Sequence, residues 1–151
     1  MDYAIQKLVE TGVHSITPLL TEHTVVKLDA KREQSRRQHW QGIIINACEQ
    51  CGRSVLPQLH AVTDIYQWIT TVSAEYKLVF DATGETSLKS LQATPASVSV
   101  LIGPEGGLSE REVSDAKHNG FHVVRLGPRI LRTETAAVAI SAALQTLWGD
   151  Y

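Results

Sequence analysis

Two short segments concentrate the residue types from which a ligand site can be built. The first, Gly103-Pro104-Glu105-Gly106-Gly107, follows directly on the apolar stretch Val98 to Ile102. Glycines there let the backbone approach a bound molecule closely and leave peptide N–H groups to face it. The second, Leu126 to Ala136, sets Arg129, Arg132 and Glu134 beside apolar Ile130 and Leu131. That mixture suits a flat apolar group held next to chemistry that moves charge. Each segment taken alone also has a plainer reading. A tight turn accounts for the glycines, and a surface ion pair at a helix start accounts for Arg132 and Glu134. The glycine segment does not match the G-x-G-x-x-G dinucleotide fingerprint and lacks the Lys-Ser/Thr ending of a P-loop, so phosphate cradling by either route is not expected.

The elements that must position these segments alternate along the chain. Asp2 is expected to cap a short helix over Tyr3 to Thr11 with Gly12 as its stop, and a strand is expected over Ser15 to Leu20. Asp29 opens a long helix in which Trp40, Ile43, Ile44, Ala47, Cys48 and Cys51 recur at the spacing of a buried face, opposite a basic and polar one. Asp64 caps a helix through Ile65, Trp68 and Ile69, and Tyr76 to Phe80 reads as a buried strand. The apolar run Val98 to Ile102 is a strand entering the glycine segment. Ser109 with Glu112 forms a capping box for a helix that stops at Asn119-Gly120. Phe121 to Leu126 is the next strand, broken by Gly127-Pro128, and Thr133 or Thr135 begins an Ala-rich helix to Trp148. Strands alternating with helices predict an α/β fold with a mostly parallel sheet and helices on both faces. Ligands of such sheets sit beyond the carboxyl ends of the strands, which singles out Asp81 to Glu85, Gly103 to Leu108 and Gly127 to Arg132.

The 151 residues, 43% of them hydrophobic, suffice for one domain with a real core. No stretch approaches the roughly 20 apolar residues of a membrane span, and the opening MDYAIQKLVE carries acidic residues instead of a basic segment followed by an apolar run. A soluble, cytoplasmic protein with no membrane partner is therefore expected. Cys48 and Cys51 are too few for a disulfide framework and lack a second pair for zinc, and the six histidines have no ligand spacing, so no metal is expected. A net charge of −2 does not favour a dedicated nucleic-acid binder. Affinity for RNA would have to come from a local cluster such as Lys31, Arg32, Arg36, Arg37 and Arg53, or from a part outside this chain.

The two late segments occur together as IGPEGGLSEREV, Ile102 to Val113, and LGPRILRTETA, Leu126 to Ala136. This pair closely resembles the signature of the bacterial ribosomal RNA small subunit methyltransferase E family, which methylates uridine N3 in 16S ribosomal RNA. Gln6-Lys7 with Glu10, Gly12 and Val13, then Pro18, and Ala47 to Gln50 with Arg53 and Pro57 resemble further stretches of that family, so the likeness covers nearly the whole chain. The resemblance implies a SPOUT-type fold with a C-terminal trefoil knot, S-adenosylmethionine as cofactor, a homodimer, and 16S ribosomal RNA or the small ribosomal subunit as substrate. By the same carry-over, Ile102, Gly103, Pro104, Gly107, Leu126, Gly127, Ile130 and Leu131 would hold the cofactor. Arg132 would stabilise charge on the base, with Glu105 or Glu134 as proton acceptor, and Arg53, Gln50 and Arg36 would meet RNA.

Departures are visible. Thr11 stands where the family usually has Leu, and Glu22-His23-Thr24 replaces Glu-Arg-Ser, which weakens the case for an RNA contact there. Family members carry an N-terminal β-barrel RNA-binding domain and a first catalytic strand ahead of the segment matched by Met1-Asp2-Tyr3, so residues 1–151 are expected to be the SPOUT domain alone. Two alternatives follow: a fragment that binds cofactor and dimerises but is impaired in catalysis, and a ribose 2'-O methyltransferase of related fold.

Overall fold

The computed structural model describes residues 1–24, 30–84, 86–91 and 94–151. Its elements in order are α1 (Asp2–Glu10), β1 (Ser15–Ile16), β2 (Leu19–Leu20), α2 (Ala30–Cys51), β3 (Gln58–Leu59), β4 (Thr63–Asp64), α3 (Ile65–Thr71), β5 (Tyr76–Phe80), β6 (Thr86–Ser87), β7 (Val98–Ile102), α4 (Glu110–His118), β8 (His122–Arg125) and α5 (Thr133–Trp148), with a 3-10 turn at Leu88–Ser90. They divide into two compact units. One comprises the described residues of Met1–Pro18, Val25–Val62 and Glu134–Tyr151, the other Leu19–Thr24 and Thr63–Thr133. No described helix is long and apolar enough to cross a membrane.

In the first unit, α1 and α2 bury Ile5 and Val9 with Trp40, Ile44, Ala47 and Cys48, beside the parallel pair β1–β3 with Ile16 opposite Leu59. Completely buried isoleucines of this kind each contribute about 1.5–3 kcal/mol. The helical stripe expected on α2 is thus observed with one correction: Cys51 is exposed, because it is the last residue of the helix, one turn beyond buried Cys48 and outside the core cluster. The expected opening of α2 at Asp29 lies outside the described residues. A second correction concerns Asp2, which lies inside α1 and makes no cap. Met1 occupies that position without a side-chain bond, and the Asp2 carboxylate instead meets His39 Nε2 at 2.7 Å and accepts from Trp40 Nε1 at 3.2 Å, joining α1 to α2. His39 accordingly holds this carboxyl below its ordinary range.

Gly12, at φ +87°, ends α1 where a left-handed residue is required. A Cβ there would lie 2.3 Å from Gln145 Nε2, which donates to Thr11 O at 2.9 Å. Thr11 Oγ1 bonds the nearly buried Ser141 hydroxyl of α5 at 2.8 Å. The Thr11 hydroxyl thus ties the end of α1 to α5, a bond that an apolar side chain at this position could not make.

The expected strand Ser15 to Leu20 is interrupted. Pro18 supplies no N–H to a ladder, and the two halves pair with different partners, β1 with β3 and β2 with β4. In the second unit, β6, β8, β5 and β7 form a four-stranded, wholly parallel sheet in that order. Val79 and Leu101 turn to one face, where Ile65 and Ile69 of α3, Ala116 of α4, and Phe121 cover them. Leu78 and Val124 alternate onto the other face and are equally buried. The last predicted strand is shorter than expected: Phe121 precedes β8 and packs in the core, its ring 5.8 Å from that of Trp68.

Candidate functional site

Parallel pairing brings three strand ends to one edge. Phe80, the last residue of β5, is in register with Ile102, the last of β7, and with Val124 near the end of β8. All three loops singled out from the sequence therefore leave the same edge of one sheet, within one unit.

The loop after β5 begins with Asp81, whose Oδ1 accepts from Thr83 N at 2.8 Å and from its hydroxyl at 2.5 Å. Asp81 N donates to Val124 O at 3.1 Å, so this turn lies on β8. Gly84 is buried there with no room for a side chain: a Cβ would be 2.8 Å from Val124 C and 2.9 Å from Arg125 N. Glu85, the end of the expected loop, lies outside the described residues.

The loop after β7 folds back on itself. Gly107 N donates to Pro104 O at 2.9 Å, and Gly107 takes φ +72°. A Cβ on Gly103 would meet Leu108 N at 3.0 Å and Gly107 C at 3.1 Å, whereas one on Gly107 or Gly127 would meet no described atom within 4 Å. Gly103 is thus demanded by the chain's own return, and Gly107 and Gly127 leave open backbone. Ile102, Gly103, Pro104 and Gly107 are all half-buried, and Glu105 is exposed at the tip. The capping box of α4 forms as expected, with Glu112 N donating to Ser109 Oγ and Ser109 N to the Glu112 carboxylate.

The loop after β8 carries Leu126, Gly127 and Leu131 half-buried, while Ile130 is 90% exposed. Thr133 Oγ1 donates to Gly103 O at 3.2 Å, joining the second signature to the first, a tie the sequence alone did not reveal. Arg132 is exposed just before α5. Glu134, half-buried in the first turn of α5, belongs to the other compact unit and favours the helix start electrostatically.

The candidate RNA residues also lie in that other unit. Arg36 and Gln50 are exposed on α2, whereas Arg53 is half-buried and donates through Nη1 to Val9 O and Val13 O, both at 2.9 Å, tying down the end of α1. Among the described residues no group of three or more His, Cys, Asp or Glu side chains gathers in metal-binding geometry.

Beside the glycine loop lies a network that sequence reasoning missed. Tyr66 Oη donates to Glu22 Oε1 at 2.5 Å, and the Arg111 guanidinium stands 5.3 Å from the Tyr66 ring centre. The hydrogen bond from the phenol to the carboxylate lowers the Glu22 carboxyl from its ordinary range and pushes the Tyr66 phenol up to about 12. The capping-box spacing did announce Glu112, but no sequence signal announced that Glu22 and His23, some 84 to 90 residues distant, would meet the same loop.

A parallel α/β unit with open glycine backbone and half-exposed aliphatic side chains at the carboxyl edge of its strands has the arrangement at which such sheets hold ligands. These residues fit S-adenosylmethionine, which presents a flat adenine to aliphatic surfaces and polar groups to backbone. The RNA methyltransferase domain family matches residues 1–145, and the chain belongs to that family. It is 39% identical to Ribosomal RNA small subunit methyltransferase E of Buchnera aphidicola subsp. Schizaphis graminum, across 99% of this chain and 61% of that protein. With the enzyme of the same name from Bacillus subtilis the identity is 36%, across 99% of this chain and 64% of that one. The crystal structure of a Ribosomal RNA small subunit methyltransferase E from Neisseria gonorrhoeae bound to S-adenosyl methionine superposes with a TM-score of 0.92 at 39% identity, covering 100% of this chain and 62% of that one. A Legionella pneumophila structure in complex with the bound cofactor SAM gives 0.97 at 38%, with the same coverage. The chain spans about three fifths of the length of the curated relatives it matches first.

Proposed function

We propose that this chain binds S-adenosylmethionine at the loops after β5, β7 and β8 and serves as the catalytic domain of a small-subunit ribosomal RNA methyltransferase acting on uridine N3. The observation that carries the reading is the convergence of both signature loops at one sheet edge, joined by Thr133 and Gly103. The family membership and the cofactor bound to two similar structures support it. We further take the fold to be of SPOUT type with its C-terminal segment knotted, and the working form to be a homodimer.

In this reading the backbone of Ile102 to Gly107 and of Leu126 to Leu131 holds the cofactor, with Ile130 and Leu131 against its flat surface. S-adenosylmethionine supplies a methyl group already activated on a sulfonium. The protein has to align the base and take the N3 proton as the N–CH3 bond forms. Glu105 or Glu134 accepts that proton. Arg132 donates to the carbonyl oxygens flanking N3, where negative charge develops, and its planar, permanently charged fork suits two parallel hydrogen bonds. Arg36, Gln50 and Arg53 are the candidate RNA contacts.

The test is a methyl-transfer assay on unmodified small ribosomal subunits, with the product nucleoside separated by chromatography and identified by mass spectrometry. N3-methyluridine is the expected product. A ribose 2'-O methyl mark would refute the assigned chemistry, and transfer of no methyl group despite cofactor binding would refute catalysis by this chain.

A further inference from the structure

Glu112 is the only charged side chain among the described residues that is fully buried. A buried carboxylate is expensive unless its oxygens are satisfied, and helix capping does not demand one, since glutamine serves a capping box as well. The reason for a carboxylate lies in its second oxygen. Oε2 accepts from Ser109 N at 2.7 Å within the box, and Oε1 accepts from Glu22 N at 2.8 Å. Only a carboxylate offers two acceptor atoms; glutamine would turn an N–H toward one of those backbone donors.

The turn that receives this bond is itself closed, with Thr21 N donating to Thr24 Oγ1 at 3.0 Å and Thr24 N to Thr21 O at 3.1 Å. It is pinned a second time at His23, whose Nδ1 meets Gly107 O at 3.0 Å. The His23 Cβ lies so near Gly106 that a Cβ there would be 3.1 Å away. The turn Thr21 to Thr24 thus lies along the outside of the glycine loop and is fastened to it at Gly107 and at the start of α4.

From this geometry we infer that Glu112 is a positioning residue for the cofactor site, and that the turn Thr21 to Thr24 is its brace, together holding the Gly103 to Ser109 loop ready before the ligand arrives. The inference rests on the proposed cofactor site. A loop ordered in advance does not have to be ordered by the ligand, so losing the brace weakens binding rather than the chemical step.

The experiment titrates S-adenosylmethionine calorimetrically into wild type, Glu112→Gln, His23→Ala, and the core variant Ile69→Val as a control of general destabilisation, with amide hydrogen exchange measured on each ligand-free protein. Glu112→Gln is expected to accelerate exchange at Glu22, Gly107 and Ser109 and to weaken binding at least ten-fold. His23→Ala, whose side chain is exposed, should weaken binding two- to five-fold, and Ile69→Val should leave affinity unchanged. Affinity of Glu112→Gln within two-fold of wild type would overturn the inference. So would an equal loss in Ile69→Val, which would reduce Glu112 to a stabilising residue. Should Glu112→Gln fail to fold, His23→Ala decides, and unchanged affinity there counts against the brace. Absence of heat with wild type would instead overturn the proposed cofactor site, while the exchange rates still report whether the tie exists.

Discussion

The two signature loops leave neighbouring strand ends of one sheet, yet they are held very differently. The glycine loop after β7 is closed internally at Gly107, capped by α4, and braced from outside by Glu112 and His23. The loop after β8 extends Ile130 into solvent and is fastened, among the described residues, by the single bond from Thr133 to Gly103. The first loop has the character of a preformed cradle. The second exposes apolar surface at Ile130 and leads straight to Arg132.

The largest expected effect separates chemistry from binding on the open loop. Arg132→Ala should lower the methyl-transfer rate about 10²- to 10³-fold, the usual loss for one donor aimed at developing charge, while calorimetric affinity for S-adenosylmethionine stays put. A rate within a few-fold of wild type would remove Arg132 from the chemistry. The next effect concerns the third loop at the same edge, after β5. Gly84→Ala forces a methyl into the β8 backbone and should cost about 1–3 kcal/mol, a fall in Tm of roughly 5 °C by calorimetric scanning. An unchanged Tm would mean that the Asp81 turn does not lean on β8.

A smaller effect belongs to Ile130. Because the side chain is 90% exposed, Ile130→Ala should change the stability of the ligand-free protein by less than about 0.5 kcal/mol. It should nonetheless weaken cofactor binding roughly 4- to 15-fold, the worth of one or two methylenes at about 0.8 kcal/mol each. If affinity does not move, the open loop does not close on the ligand.

The smallest effect is spectroscopic and reports the brace. Glu22 has its pKa lowered, so its bond to Tyr66 contributes fully above the ordinary carboxylate range and is lost as pH falls through the lowered value. Tyr66 has its pKa raised, so the same bond is complete below pH 10 and is lost as pH rises through about 12. Ultraviolet titration should show a tyrosine step near 12 that is missing from Tyr66→Phe; identical titration curves would deny the bond.

Much of this arrangement was legible in the sequence because it is local. The capping box at Ser109 and Glu112, the Asp64 cap, the stops at Gly12 and Gly120, and strands β5 and β7 all follow from short-range pattern. The parallel sheet followed from alternation, and with it the edge at which three loops converge. What escaped was long-range. Asp2 left its expected cap for His39 and Trp40, and Pro18 split one expected strand between two pairings. Cys51 fell one turn beyond the buried stripe. The partner of Glu112 lies 90 residues earlier, and no periodicity encodes a hydrogen bond between a carboxylate and the backbone of a distant turn.

In the proposed reading the two signature loops together hold S-adenosylmethionine. Amide chemical-shift perturbation on titrating the cofactor into isotopically labelled protein tests it residue by residue. The account predicts saturable shifts concentrated at Ile102 to Leu108 and Leu126 to Leu131, extending to Glu22 and His23 through the brace. Shifts confined to α1 and α2, or none at saturating cofactor, would contradict it.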